Sequence, residues 1–396
     1  MDLNLTPAEE SFRQELLDWL KDNLPEGWKT SHLREMPEEE AVQIRRTWQA
    51  KLGAAGWLGV AWPKEYGGRG ATLMEQVIYQ DEMLNAEAPE VLNGVGLQYV
   101  GPTIAEVGTD EQKTKFLGPI IRGETVWYQG FSEANAGSDL AGLQTRAELD
   151  GDEFIINGQK LWGDARYAEW GAVLARTDPD APKHKGITFL IVDMKAPGIT
   201  VGRVKDMRGR SDLGEVFFDN VRVPRTNVLG EVNDGWRVAN RTLVYERGVL
   251  TMLFTTSFQK WWRELRDYAR TTRRNGRLLA DDPHIRLQLA QTYTDVQLMR
   301  LANLLLISRY SRGIPPGAET SFMKLHWATT EHGLAELATS LGGPEVLSLP
   351  GSPYAIHEGR WIDDYLWSRA VTIYGGTQDI QRNIIAERIF GLPRGN

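Results

Sequence analysis

The sequence predicts an α+β fold in three consecutive parts: helical, then β, then helical again. Three observations predict it: apolar residues at helical spacing over the first ~120 positions, β-branched and aromatic runs from about Trp127 to Pro224, and long helical patterns after Gly235. At 396 residues, 41% of them hydrophobic and 25% charged, the chain can bury a substantial core. We place the parts at residues 1–125, 126–232 and 233–396.

Thr6-Pro7-Ala8-Glu9 joins an N-cap hydroxyl, a proline at the first helical position and a glutamate placed to close a capping box; Phe12, Leu16 and Leu20 follow at helical spacing. Further helices are expected over Glu38 to Leu52, Met74 to Asn85 and Thr109 to Ile120. Glycine and proline interrupt them at Trp62 to Gly68 and near Gly101-Pro102.

Phe154-Ile155-Ile156, Ala172-Val173-Leu174, Ile187 to Val192 and Val216-Phe217-Phe218 read as strands of a small antiparallel β domain ending near Val223-Pro224. Asn157-Gly158 predicts a hairpin turn, since both positions tolerate positive φ. Helices resume over Trp236 to Arg274, His284 to Arg309, Met323 to Leu341 and Asp379 to Ile389. In the last, Ile380, Ile384, Ile385 and Ile389 form one apolar stripe. No repeat or low-complexity linker separates the parts, so they are expected to pack as one unit.

A net charge of -8 offers no basic field for nucleic acid or anionic lipid. The absence of cysteine removes thiolate catalysis and disulfides and fits a reducing, cytoplasmic setting. The acidic start Met1 to Gln14 reads as neither signal nor transit peptide, and no run reaches the ~18 apolar residues of a membrane span, so no membrane insertion is expected. No G-x-G-x-x-G or Walker loop occurs, and Gly94-Val95-Gly96 reads as structural. His32, His184, His284, His326, His332 and His357 include no H-E-x-x-H pair, so no metal site is expected.

Chemistry concentrates in three segments: Gly130-Phe131-Ser132-Glu133-Ala134-Asn135-Ala136-Gly137-Ser138-Asp139, Asn157-Gly158-Gln159-Lys160-Leu161-Trp162, and Tyr374-Gly375-Gly376-Thr377-Gln378-Asp379-Ile380-Gln381-Arg382-Asn383. In the first, small residues let backbone N–H groups approach a ligand, and the Ser132 and Ser138 hydroxyls can donate to its oxygens; alone, it would also read as a glycine-rich turn. Trp162 reads by periodicity as a half-buried strand aromatic.

Together, in this order and spacing, the segments resemble the FAD-dependent acyl-CoA dehydrogenase family over essentially the whole chain, including the Val221-Arg222-Val223-Pro224 exit. The resemblance implies an N-terminal helical domain, a middle β domain and a C-terminal four-helix bundle. It also implies FAD as cofactor, with Gln129, Phe131, Ser132, Trp162, Asp164, Arg273, Thr377 and Asp379 near the cofactor and Ser138, Tyr245 and Arg247 near an acyl-CoA substrate.

Removing a proton α to a thioester requires a carboxylate in reach, a polarised carbonyl and a hydride acceptor. Many family members place that glutamate before the Gly-Thr of a Tyr-Glu-Gly-Thr loop, where this sequence has Gly375. A minority, such as isovaleryl-CoA and long-chain dehydrogenases, carry it in a helical Glu-Arg pair, which Leu243-Val244-Tyr245-Glu246-Arg247 matches. Glu246 is thereby the expected base; the competing reading is a buried glutamate bonded to an arginine. Its helical neighbours Thr242, Leu243, Val249 and Leu250 offer no cation. Arg247 reads as a structural ion pair or a substrate contact. The Gly375 N–H is expected at the thioester oxygen. Electrons are expected to pass to an electron-transfer flavoprotein, leaving a trans-2-enoyl-CoA.

Two departures stand out. Asp164 occupies the place of a flavin-facing hydroxyl, and a carboxylate there disfavours anionic reduced flavin or reaches for another partner. Thr272 stands where the family has an arginine on the FAD pyrophosphate, so Arg273, Arg274 or another subunit must supply it. The assembly is expected to be a homotetramer or an α2β2 with a paralogous subunit, as in actinobacterial steroid and side-chain dehydrogenases. Competing readings are a flavin monooxygenase or nitroalkane oxidase of the same fold, and a subunit that only completes a partner's FAD site.

Overall fold

The capping box at Thr6 forms as read: Thr6 Oγ1 accepts from the Glu9 N–H at 3.3 Å and Glu9 Oε2 accepts from the Thr6 N–H at 2.7 Å, opening α1 (Pro7–Asn23). The computed structural model describes residues 5–393 except 26–27, 29–32, 34–35, 311 and 315–316, and the side chains of residues 246–254 also lie outside the described set. His32, Glu246 and Arg247 are therefore named from sequence alone.

Helices α2 (Glu38–Ala54) and α3 (Leu73–Asn85) follow, the latter opened by a second capping box at Thr72. The break expected near Gly101-Pro102 is instead a start. Pro102 sits in the first turn of α4 (Gly101–Val107), where its missing N–H removes no helical bond, and a π-helical turn over Gly96–Val100 leads into it. Thr109 caps α5 (Asp110–Ile121).

Strands β1 (Trp127–Gly130), β2 (Arg146–Asp150), β3 (Glu153–Leu161), β4 (Trp170–Arg176), β5 (Ile187–Asp193), β6 (Ile199–Val204) and β7 (Leu213–Pro224) form one seven-stranded sheet. Its path is β1-β4-β2-β3-β7-β6, with β5 on β4. Most pairs are antiparallel; β1 runs parallel to β4, and β2 meets β4 through one parallel bridge, Arg146 to Arg176.

Asn157-Gly158 is not a hairpin turn. Both residues lie within β3, which is paired along its length by β7, and the ladder outweighs the local preference for a turn. The pairing slips between Ile156 and Gly158, and Gly158 takes φ 152° at this bulge. The chain turns instead at Gly151-Asp152, with Gly151 at φ 62° and Asp150 paired to Glu153.

Helix α6 (Gly235–Thr271) stops short of the Arg274 end expected for it. An Asn-Gly turn takes over there: Asn275 and Gly276, at φ 52° and 80°, join β8 (Arg273–Arg274) to β9 (Arg277–Leu278). After it come α7 (Pro283–Tyr310), α8 (Thr320–Gly342), α9 (Arg360–Trp367) and α10 (Gln378–Arg388). The isoleucine stripe is shorter than read: Ile385 is buried, while Ile389 lies past the helix end and is 41% exposed.

The packing divides into two units, Met1–Glu246 and Arg247–Asn396. The division falls inside α6, so no linker composition marks it. In the first unit, Phe116 packs edge-on against Trp127 and Trp170 at 5.4 and 5.0 Å, and buried Gln112 donates to the Thr226 and Val228 carbonyls. The start of α6 is stitched to β5: the Asn233 N–H donates to Thr188 Oγ1 at 2.8 Å, and a Cβ on Gly235 would lie 2.5 Å from Phe189 N. Val238 and Ala239 are fully buried. The second unit has its own core, built around Trp327, Leu334, Leu341 and Trp361.

A Cβ at Gly158 would lie 2.7 Å from the Thr145 Cα as well as at an unfavourable φ. Gly158→Ala should destabilise the protein by about 2 kcal/mol. The expected reading is a lower denaturant midpoint at unchanged slope, and an unmoved midpoint would contradict it.

Candidate functional site

The loop after β1 is held from beneath by a buried ion pair. Lys160, fully buried on β3, donates to the Phe131 carbonyl at 3.1 Å and to Glu133 Oε1 at 2.8 Å. The Glu133 carboxylate also accepts the Gln144 and Thr145 N–H groups at 2.7 and 2.9 Å, and the Leu161 N–H donates to the Ser132 carbonyl at 2.9 Å. Burial pulls the Lys160 ammonium down to about 8, against the opposing pull of Glu133. Burial pushes the Glu133 carboxyl up, but Lys160, the Gln144 N–H and Thr145 outweigh it and hold it below its ordinary range.

The residues expected around a ligand sit on this frame. The Phe131 ring is buried against Phe189 at 5.7 Å, so its main chain is what it can offer. Gln129 pairs with Ala172 in the β1–β4 ladder with its side chain half-buried; Ser132 is half-buried, and Ser138 is exposed at the rim. A Cβ on Gly137 would meet nothing within 4 Å, so this backbone is open to a ligand.

Trp162 is not a half-buried strand aromatic. It lies past the end of β3 at φ 80°, its N–H bonded to the Gly214 carbonyl at 2.8 Å, with the residue 52% exposed. The strained backbone holds the indole out at the surface. Asp164 reaches for another partner: it accepts from Arg166 Nε and Nη2 at 2.8 and 2.7 Å. Arg166 also bonds Glu38, which accepts from Arg203 at 3.0 Å and Tyr167 at 2.9 Å. The hydrogen bond to Asp164 raises the Arg166 pKa further, and the two carboxylates are matched by two guanidinium groups.

In α6, the Tyr245 hydroxyl donates to Glu106 at 3.2 Å, and burial together with that carboxylate raises its pKa. Glu246 and Arg247 continue the helix, their side chains outside the described residues. Near the start of α6 lies a groove of about 560 Å3 lined by His184, Lys185, Asn233, Asp234, Trp236 and Arg237. His184 meets Trp236 edge-on at 4.8 Å, and Arg237 is paired with Asp234 at 2.7 Å.

In the second unit, Gly375 and Gly376 take φ 65° and 92°, and Gln381, fully buried on α10, donates to the Gly375 carbonyl at 3.0 Å. Thr377 Oγ1 caps α10 by accepting from the Ile380 N–H at 3.2 Å, and exposed Asp379 pairs with Arg382 at 3.1 Å. Exposed Arg273 donates to the Gly276 carbonyl of its own turn, whereas Arg274 bonds the Leu341 carbonyl at 2.7 Å at the end of α8.

Three family models match in register with these elements: the acyl-CoA dehydrogenase N-terminal domain over residues 6–124, the middle domain over 129–221 and the C-terminal domain over 233–390. Acyl-CoA dehydrogenase IpdE1 of Mycobacterium tuberculosis is 39% identical over 97% of this chain and 98% of its own.

The chain belongs to the acyl-CoA dehydrogenase family.

It is an oxidoreductase of that family, whose usual cofactor is FAD. Acyl-CoA dehydrogenase FadE26 of the same organism is 33% identical over the full length of both chains. Among solved structures, the Tcur3481-Tcur3483 steroid ACAD matches with TM-score 0.87 at 34% identity, covering all of both chains. The ChsE4-ChsE5 complex from Mycobacterium tuberculosis matches with TM-score 0.85 at 34% identity, with the same coverage. Among the described residues, no helix of this dehydrogenase is long and apolar enough to cross a membrane, and no cluster of three metal-ligating side chains occurs.

The sequence reading of this dehydrogenase left Glu133 and Lys160 without a role. The signal was present: Lys160 falls in phase with the inward Phe154 and Ile156 of β3. Lys160→Met should cost about 3–5 kcal/mol by stranding the Glu133 carboxylate. In chemical denaturation, Lys160→Met/Glu133→Gln should recover part of that loss; a double variant no more stable than the single would show that the pair is not coupled.

Proposed function

We propose that this chain oxidises an acyl-CoA thioester to its trans-2-enoyl-CoA with bound FAD, using Glu246 as the α-proton base. The observation that carries this reading is Gly375: the loop position of the common family base has no side chain and stands at φ 65°, leaving the Glu-Arg pair of α6 as the family-type alternative. Gly375 keeps its N–H, available to the thioester oxygen as that carbonyl gains negative charge.

The residues fit a flavin. In the first unit the exposed Trp162 ring supplies a flat face, and Ser132, Gln129 and the Phe131 N–H supply polar groups; in the second, taken by itself, Thr377 and Asp379 stand at the start of α10. Arg273 is one of three exposed guanidinium groups of the β8–β9 hairpin, with Arg274 and Arg277, and its own bond goes to the Gly276 carbonyl of the turn. FAD, when bound, supplies the hydride acceptor. Asp164 brings little net charge to that place, since Arg166 holds its carboxylate on both oxygens.

The groove at the start of α6 supports a nucleotide-bearing substrate. His184 and Trp236 offer aromatic faces to a purine; Lys185 stands beside them, while Arg237 is held by Asp234 and Asp178 adds a second carboxylate to the lining. With Ser138 at the rim of the loop, and Tyr245 and Arg247 beside Glu246, these are the groups we assign to acyl-CoA.

The likeness to solved steroid ACAD and ChsE4-ChsE5 assemblies supports a bulky, steroid-side-chain type of acyl group and an α2β2 assembly with a paralogous subunit. Thr272 and the engagement of Arg274 with α8 favour a pyrophosphate contact supplied from elsewhere. Electron-transfer flavoprotein is the acceptor that the family usually employs.

Glu246→Gln should abolish anaerobic flavin bleaching by acyl-CoA, a loss of about 10²–10⁴-fold, while FAD stays bound. Retained bleaching would move the role to another carboxylate. Expressed alone, the chain should hold substoichiometric FAD and fill on co-expression with its paralogous partner. A fully loaded homotetramer would overturn the α2β2 assignment.

A further inference from the structure

Position 375 is not merely missing a side chain. A Cβ built on Gly375 would lie 3.2 Å from Lys324 Cε, tighter than ordinary van der Waals contact. Lys324 is not a flexible surface lysine that could swing aside. It is 7% exposed on α8, its ammonium donates to the Val371 carbonyl, and its Nζ lies 4.5 Å from the Trp327 ring centroid and 5.2 Å from that of Tyr374.

The backbone adds to the obstruction. Gly375 and Gly376 both stand at left-handed φ, which an L side chain adopts only under strain. Gln381 fixes this turn through the Gly375 carbonyl, and its Nε2 lies 2.4 Å from where a Cβ on Gly376 would stand. A glutamate at 375 would thus emerge from a pinned turn directly against a buried ammonium. Its carboxylate would fall within reach of Lys324 and be held as an ion pair rather than left free to take a proton.

We propose that Lys324 closes position 375 to a catalytic carboxylate and so determines that α6, and not the loop before α10, supplies the base in this chain. Lys324 acts by occupying the room and fixing the charge, without touching the reacting atoms, and is a specificity-determining residue for the placement of the acid–base function. This rests on the dehydrogenase reading with Glu246 as base.

The test uses FAD-loaded full-length protein and has two arms. In the Glu246→Gln background, Gly375→Glu should leave anaerobic bleaching by acyl-CoA absent, and adding Lys324→Met should raise its rate about tenfold or more. Bleaching restored by Gly375→Glu with Lys324 in place, or no gain from the triple variant, would overturn the proposal. The second arm needs no turnover: Gly375→Glu should melt several degrees above Gly375→Gln when Lys324 is present, and the two should melt together in Lys324→Met. Equal melting in both backgrounds would overturn the contact itself; Lys324→Gln replaces Lys324→Met in both arms if the methionine variant does not fold. If Glu246→Gln alone still bleaches, the base assignment falls while the melting cycle still decides whether Lys324 meets a carboxylate at 375.

Discussion

The Lys160–Glu133 pair is the interaction on which the loop after β1, and with it the candidate site of the first unit, depends. An unpaired ammonium at a fully buried strand position would be costly, so the loop carrying Glu133 is held closed over β3. Once closed, the loop has most of its polar groups committed inward. The Phe131 carbonyl goes to Lys160, the Ser132 carbonyl to Leu161, and the Glu133 carboxylate to Lys160, Gln144 and Thr145. What remains outward is the small-residue stretch through Ser138, whose ends are fixed by these bonds.

The second unit uses a different device. The Gly375-Gly376 turn is bounded by a buried amide, Gln381, and a buried ammonium, Lys324, both anchored on helices. Glycine at both positions lets the turn take left-handed φ without strain, and the two buried side chains hold it there. The two devices share one logic: a charged or polar side chain is buried to fix main chain.

Much of the architecture was legible in the sequence, because long amphipathic helices and β-branched runs carry strong periodicities. The capping box at Thr6 and the helices from Glu38, Leu73 and Asp110 could be read almost to the residue. Asn157-Gly158 and Asn275-Gly276 show the limit. The same dipeptide is a bulge within a strand paired on both sides in one place and a true turn in the other, and only long-range pairing tells them apart. The unit division was illegible for a related reason, since it falls inside a continuous helix. Motif residues could be located by resemblance, but what Trp162 and Asp164 do could not. The positive φ of Trp162 and the Arg166 clamp on Asp164 arise from neighbours distant in sequence or from backbone geometry that composition does not encode. Lys324 carries no motif at all, and its closeness to Gly375 is purely a product of packing.

Helix α6 also sets a length. Trp236, in the groove assigned to the nucleotide end of the substrate, and Glu246, assigned to its reacting end, are ten residues apart on one uninterrupted helix, a rise of about 15 Å. Because the start of that helix is sewn to β5 through Thr188, Asn233 and Gly235, the first mark on this ruler is fixed by the sheet. A thioester on a shorter or longer carrier arm would reach the helix at the wrong turn. In this reading, discrimination between carriers is metered by backbone rise as well as by the shape of the acyl pocket.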